Sequence, residues 1–171
     1  MKKLVIFYSL EGNTTFVAKA ISEAIDAEIL ELKPKKDLNP KSFLRFFWGG
    51  MQVIFKIKPA LMEFDKNIES YDILFIGTPV WAANFTPSLL TLFSKVKIEN
   101  KKIAFFCCYG DNPGKTFKSL KKQLMGNVFL GEIGFKDPIK QNETKKKEIL
   151  KEISDWAKQV PSEKASNLLK N

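Results

Sequence analysis

The residues equipped to do chemistry lie in three short turns. The first is Ser9, Leu10, Glu11, Gly12, Asn13, Thr14 and Thr15, which follows the apolar run from Leu4 to Tyr8 and leads into a helical pattern. A strand that breaks at a small polar turn and re-forms as a helix aims free backbone amides and the positive end of the helix dipole at one point. Together with the hydroxyls of Ser9, Thr14 and Thr15, the Asn13 amide and the N–H groups across Gly12, that point suits a dianionic phosphate monoester held without a metal. The same residue types also make an ordinary helix cap. The turn has neither the lysine of a P-loop nor the three glycines of a dinucleotide fingerprint.

The second turn, Thr78, Pro79, Val80, Trp81, Ala82, Ala83, Asn84, Phe85, is too apolar for a mere surface connection. The third runs Cys108, Tyr109, Gly110, Asp111, Asn112, Pro113, Gly114. Trp81 and Tyr109 offer two aromatic planes, although either alone also reads as a packing residue. Asp111 before Asn and Pro is strong turn chemistry. Cys108, at the end of an apolar run, reads as core.

Several chemistries are excluded by what the chain lacks. It has 171 residues, no histidine, and two cysteines that are adjacent, Cys107 and Cys108. Histidine-assisted nucleophiles and a disulfide framework are therefore ruled out, and material for a metal site is poor. Any chemistry must come largely from a cofactor. The net charge is +9, but Arg45 is the only arginine and the lysines are spread along the chain, so a solvated surface is expected rather than a nucleic-acid site. No apolar run reaches the ~20 residues of a membrane span. The amino terminus reads as a strand rather than a signal peptide, and a reducing cytoplasm is the expected home.

Five apolar runs alternate with helical patterns. Strands are expected at Lys3 to Tyr8, Glu28 to Leu32, Ile73 to Gly77, Lys102 to Cys108 and Val128 to Phe135. Helices are expected from Asn13 to near Asp26, from Pro87 through Val96, around Phe117 to Leu124, and from Lys145 to Val160. Between Pro34 and Ser70 lies an aromatic insertion. Within it Phe43, Phe47, Met51 and Ile54 share a helical face, Phe46, Trp48, Val53 and Phe55 occupy the other side, and Gly49 and Gly50 interrupt the pattern. A helix apolar on nearly all sides packs twice, lids a ligand, or lies on a membrane surface. Residues 1–160 read as one domain and 161–171 as a frayed tail. The alternation predicts an α/β fold, a doubly wound five-stranded parallel sheet with helices on both faces; 2-1-3-4-5 is one of the two common strand orders of such sheets, and in it the three turns gather beyond the carboxyl ends of strands one, three and four.

At its first turn the sequence resembles the flavodoxin family, whose phosphate loop reads Thr or Ser, two residues, Gly, any residue, Thr. An uninterrupted fifth strand makes it similar to the short-chain form. Glu11 stands where Thr or Ser is usual, so its side chain is expected to point outward while its amide serves. The resemblance implies FMN as cofactor, with its phosphate on residues Ser9 to Thr15. It further implies that the ring lies against Thr78, Pro79, Val80, Trp81, Ala82, Asn84 and Phe85, and against Cys108, Tyr109, Gly110, Asp111 and Gly114, with Trp81 and Tyr109 as the stacking pair. Family carriers usually place a glycine beside the flavin N5, where Ala82 and Ala83 stand here. The implied function is electron transfer between redox proteins, with acidic, ferredoxin-like partners suited to a basic chain. The alternative on this fold is an FMN-dependent NAD(P)H:quinone oxidoreductase. A phosphorylated receiver domain shares the topology, but Ser9, Glu11 and Thr78 do not supply its acids.

Overall fold

Parallel strands must all start at one edge of the sheet, and a crossover element must return the chain each time. The computed structural model, which describes residues 1–39 and 45–161 with side chains except at 45–47, shows this arrangement. The strands β1 (Lys3–Phe7), β2 (Glu28–Glu31), β3 (Ile73–Pro79), β4 (Lys102–Tyr109) and β5 (Val128–Lys136) form one parallel sheet in the order β2-β1-β3-β4-β5. The helices are α1 (Asn13–Ile25), α2 (Arg45–Ile54), α3 (Pro87–Lys95), α4 (Thr116–Gln123) and α5 (Glu143–Gln159).

The central strands are apolar along nearly all their length, with Lys3 and Lys102 at their starts and Thr78 near the end of β3, because both faces are covered, and successive side chains go to opposite faces. Leu4 and Ile6 of β1, Leu74 and Ile76 of β3, and Ile103 and Phe105 of β4 pack with Leu89 and Leu92 of α3 and Leu120 of α4. Val5 and Phe7, Ile73 and Phe75, and Ala104 and Phe106 pack with Val17 and Ile21 of α1 and Ile149 and Ile153 of α5. Each fully buried Leu, Ile or Phe contributes roughly 1.5–3 kcal/mol. The two-sided centre of the sheet is therefore the main source of stability, and it fixes where the strand ends fall.

Most element ends fall within a residue of the sequence reading, and the differences that bear on the site or a helix start are these. β3 runs on to Pro79 and β4 to Tyr109, because their pairing continues through Thr78↔Cys107 and Pro79↔Cys108. α5 begins at Glu143, where Asn142 Oδ1 accepts from Lys145 N–H at 2.9 Å. α2 passes through Gly49 and Gly50 without interruption. Between Leu61 and Ser70 the chain is irregular, with a single 3-10 turn at Ile68–Ser70. The reading of Phe43 and the side chains of Phe46 and Phe47, and that of the tail after Pro161, lie outside the described residues.

One glycine is set by the core. A Cβ on Gly77 would overlap the fully buried ring of Phe106 on the neighbouring strand. Gly77→Ala is expected to cost about 1–3 kcal/mol by overpacking and to lower Tm by roughly 3–10 °C in a thermal melt; an unchanged Tm would mean that the ring has somewhere to go.

Candidate functional site

Beyond the carboxyl ends of β1, β3 and β4 the structure has a cleft of about 300 Å³, lined by the first turn, residues 79–82 and residues 108–110, with Gly49, Gly50, Asp137 and Lys140. That volume is at the lower end of the range for small-molecule sites.

The first turn is built around one hydroxyl. Ser9 Oγ accepts from Gly12 N–H at 3.2 Å and from Thr15 N–H at 3.3 Å, while Gly12 takes φ +92°, a conformation open to glycine at little cost. Ser9 therefore shapes the loop, leaving its proton to donate outward. α1 starts at Asn13 with no side-chain cap from Gly12. Asn13 Oδ1 accepts from Ile139 N–H at 3.2 Å, which ties the helix start to the turn after β5. Thr14 is fully buried and lines the cleft, yet its hydroxyl has no hydrogen bond among the described residues, with the Cys108 thiol as a weak polar neighbour. A buried hydroxyl left unpaired costs about 1–3 kcal/mol, which a ligand oxygen at that point would recover. The residues present therefore fit a phosphate. Glu11 is exposed at the rim.

The second turn is a tight hairpin that its sequence hides. Trp81 N–H donates to Asn84 C=O and Asn84 N–H to Trp81 C=O, both at 2.9 Å, and Ala82 and Ala83 between them have φ +46° and +58°. Two central residues at positive φ make the turn that Asn-Gly normally fills, and for L-alanine each costs roughly 1–2 kcal/mol. The third turn secures it. Lys115 N–H donates to Ala83 C=O at 2.7 Å, and a Cβ on Gly114, itself at φ +56°, would come within 2.7 Å of both the Ala83 oxygen and its Cβ. Below the hairpin Thr78 Oγ1 meets Thr86 Oγ1 at 3.1 Å and accepts from Thr86 N–H at 3.1 Å.

The two aromatics reach the cleft with different supports. The Trp81 indole meets Tyr8 edge-on, with centroids 5.6 Å apart at 88°. It also lies against Gly49, where a Cβ would sit 3.2 Å from Trp81 Cε3. Gly49 is thus the residue that lets α2 close on the indole. Tyr109 lies over Gly134 of β5, where a Cβ would be 2.9 Å from Tyr109 Cε1. Tyr8 donates to Asp37 Oδ1 at 2.7 Å; burial first, then the bond to Asp37, raises its pKa far above the phenol value.

By side-chain charge the polar end is mixed, with Glu11, Asp137 and Lys140, the last two paired at 3.2 Å. Attraction for an anion therefore comes chiefly from the α1 amides and dipole, worth ~0.3–1 kcal/mol and up to about 2 when partly buried. Burial pushes the Cys107 thiol up to about 12, and raises Cys108 further, so both are neutral thiols at physiological pH. Among the described residues no cluster of His, Cys, Asp or Glu could hold a metal ion.

Of the residues assigned to the site from sequence, Ser9, Leu10, Glu11, Asn13, Thr14, Pro79, Val80, Trp81, Ala82, Cys108, Tyr109 and Gly110 line the cleft. Seven others lie outside its lining. Gly12 and Thr15 donate to Ser9; Thr78 staples the hairpin base; Asn84 closes the hairpin. Phe85 packs on Phe93, Asp111 accepts from Asn112, and Gly114 supports Ala83. Gly49, Gly50, Asp137 and Lys140 were not assigned. The only signal for Gly49 was a glycine inside an aromatic helix, and Asp137 and Lys140 follow a fifth strand that carried no turn motif.

Gly114→Ala is expected to unseat the hairpin, lowering stability by about 1–3 kcal/mol and FMN affinity about tenfold, measured by melting and by quenching of flavin fluorescence. Thr14→Val should leave the apo-protein as stable or more so, while weakening FMN about 10- to 100-fold through loss of a hydrogen bond to a charged group. An FMN affinity unchanged by Thr14→Val would place the phosphate elsewhere.

The flavodoxin family model matches residues 2–156. No curated protein matches the sequence. Among solved structures the chain is similar to a Lactobacillus acidophilus NCFM flavoprotein in complex with FMN, at 23% identity and TM-score 0.69 over 78% of this chain and 92% of that one. It is similar to a chain from Bacteroides eggerthii DSM 20697 provisionally named a flavoprotein, at 20% identity and TM-score 0.75 over 95% of this chain and 99% of the other. Reduced flavodoxin from Megasphaera elsdenii gives 18% identity and TM-score 0.56 over 92% and 99%. These likenesses establish the shared fold. With the family match over nearly the whole length and an orphaned buried hydroxyl in the first turn of α1, the chain belongs to the flavodoxin family of FMN-binding flavoproteins, and FMN is its cofactor.

Proposed function

We propose that the protein carries electrons between redox proteins through FMN held in this cleft. The observation that supports the reading is the composition of the lining. An anion turn and two aromatic side chains converge from three strands, and among the described lining residues none is arranged with another as a nucleophile and base. Bound FMN supplies one- and two-electron redox chemistry. The chain's residues bind and orient: the α1 amides and the Thr14 hydroxyl take the phosphate, Trp81 and Tyr109 flank the ring, and the hairpin at Ala82 and Ala83, secured by Lys115 N–H, gives the ring a stiff backbone neighbour. The neutral, buried Cys107 and Cys108 thiols stay out of the exchange. Gly49 and Gly50 of α2 line the cleft as well and would pack against the bound cofactor.

The net charge of +9 supports acidic redox partners. Electron exchange between the FMN-loaded protein and an acidic ferredoxin-type protein, followed by stopped-flow absorbance, is expected to slow on the order of tenfold from low to near-molar salt. A rate indifferent to salt would remove the electrostatic partner, and fast NADPH oxidation with a quinone acceptor would overturn the carrier reading.

A further inference from the structure

Beside the cleft, α2 and the chain after it expose an apolar surface that the flavin site does not use. Trp48, Ile54, Phe55, Ile57 and Met62 are 53%, 67%, 65%, 47% and 53% exposed. They do not sit on a loose loop. Ile57 N–H donates to Gln52 C=O at 2.9 Å and Lys56 N–H to Val53 C=O at 3.2 Å, with Lys56 at φ +49°. That is a Schellman helix end with lysine where glycine is usual. It holds Ile54, Phe55 and Ile57 on an ordered backbone, so their exposure is not a matter of fraying. Residues 60–62 then run beside 33–35, through Lys35 N–H to Ala60 C=O and Met62 N–H to Lys33 C=O, both at 2.7 Å.

The charge around this surface is predominantly positive. From Leu38 to Met62 the sequence contains no Asp or Glu, while it contains Lys41, Arg45, Lys56 and Lys58. Lys56, Lys58, Lys33, Lys35 and Lys36 are all exposed. The carboxylates that border the patch are Glu31, paired with Lys33 at 3.7 Å, Asp37, which accepts from Tyr8 and Leu38 N–H, and Glu63 next to Met62.

We propose that this surface docks on an anionic lipid bilayer, lying in the headgroup region with Ile54, Phe55 and Ile57 inserted and the lysines against lipid phosphates. Exposed Trp, Phe and Ile beside a cationic rim is the composition of an interfacial anchor. An acidic protein would meet the same charge, but specific protein docking also needs oriented polar groups. Between Trp48 and Met62 only Gln52 offers an uncharged polar side chain. A bilayer asks only for hydrocarbon and cations. No helix among the described residues is long and apolar enough to cross a membrane, so the contact is with its surface. Because Gly49 and Gly50 line the cleft and Trp48 adjoins them, docking would bring the cleft mouth close to the headgroups.

The test is co-sedimentation of the FMN-loaded full chain with vesicles of phosphatidylcholine alone and of phosphatidylcholine mixed equally with phosphatidylglycerol. Binding to the mixed vesicles, released by salt, is expected. The variant carrying Ile54→Ser, Phe55→Ser and Ile57→Ser should partition about tenfold less or weaker still, with its quenching of flavin fluorescence unchanged. Lys56→Gln with Lys58→Gln should weaken binding in the same direction. Failure to bind the anionic vesicles would overturn the proposal, and so would binding that the triple serine variant leaves intact, since that would mean diffuse lysine charge. A lipid-free dimer that the serine variant dissociates would make the occupant a second copy and overturn it equally.

Discussion

The cleft depends on one constraint: parallel pairing holds the carboxyl ends of β1, β3 and β4 level. Phe7 stands opposite Gly77, and Pro79 opposite Cys108, so the chain leaves all three strands at the same edge of the sheet. Tyr8 N–H still donates to Gly77 C=O and Val80 N–H to Cys108 C=O, which carries the ladder one step past the regular pairing into the turns. A slip of one residue in any of these strands would exchange its two buried faces, and both faces are packed with large apolar side chains. The site is therefore positioned by the core.

On that edge the local backbone is costly and held by neighbours. Gly12 in the first turn is free to adopt its conformation, but Ala82 and Ala83 are not, and they keep theirs because Trp81, Asn84 and Lys115 bind the hairpin from three sides. Backbone held in such regions is found where a structure needs a fixed geometry against a ligand. Where the family resemblance implies a flexible glycine, this chain has the strained pair Ala82 and Ala83, with Ala83 C=O pinned by Lys115 N–H.

Much of this was legible in the sequence. The strands were plain because two-sided burial leaves no polar positions between Leu4 and Phe7 or between Ile103 and Cys108. The first turn was plain as a strand-to-helix break because small polar residues and Gly12 stand between the apolar run and the helical pattern, whereas the bond from Ile139 to Asn13 had no sequence signal. The hairpin was not, since Ala-Ala carries no turn signal and its geometry comes from Lys115 and Gly114, thirty residues away. The roles of Gly49, Asp137 and Lys140 are tertiary as well: Gly49 makes room for the Trp81 indole, and the turn after β5 reaches the cleft through its bond to Asn13. Thr78 was assigned to the ligand by the family resemblance as the first residue of the second turn, whereas its hydroxyl is turned inward to Thr86. Residue type gave the chemistry of the turns, and long-range packing decided which side chains face the cleft.

The central claim is that this cleft holds FMN by its phosphate as well as its ring. The most direct test is a titration of the apo-protein into FMN and, in parallel, into riboflavin, following loss of flavin fluorescence. Two or more charge-assisted hydrogen bonds at the α1 start predict that FMN binds at least about a hundredfold more tightly than riboflavin. Equal affinities would mean that the first turn is only a helix cap, and no quenching by either would mean that the cleft is not a flavin site.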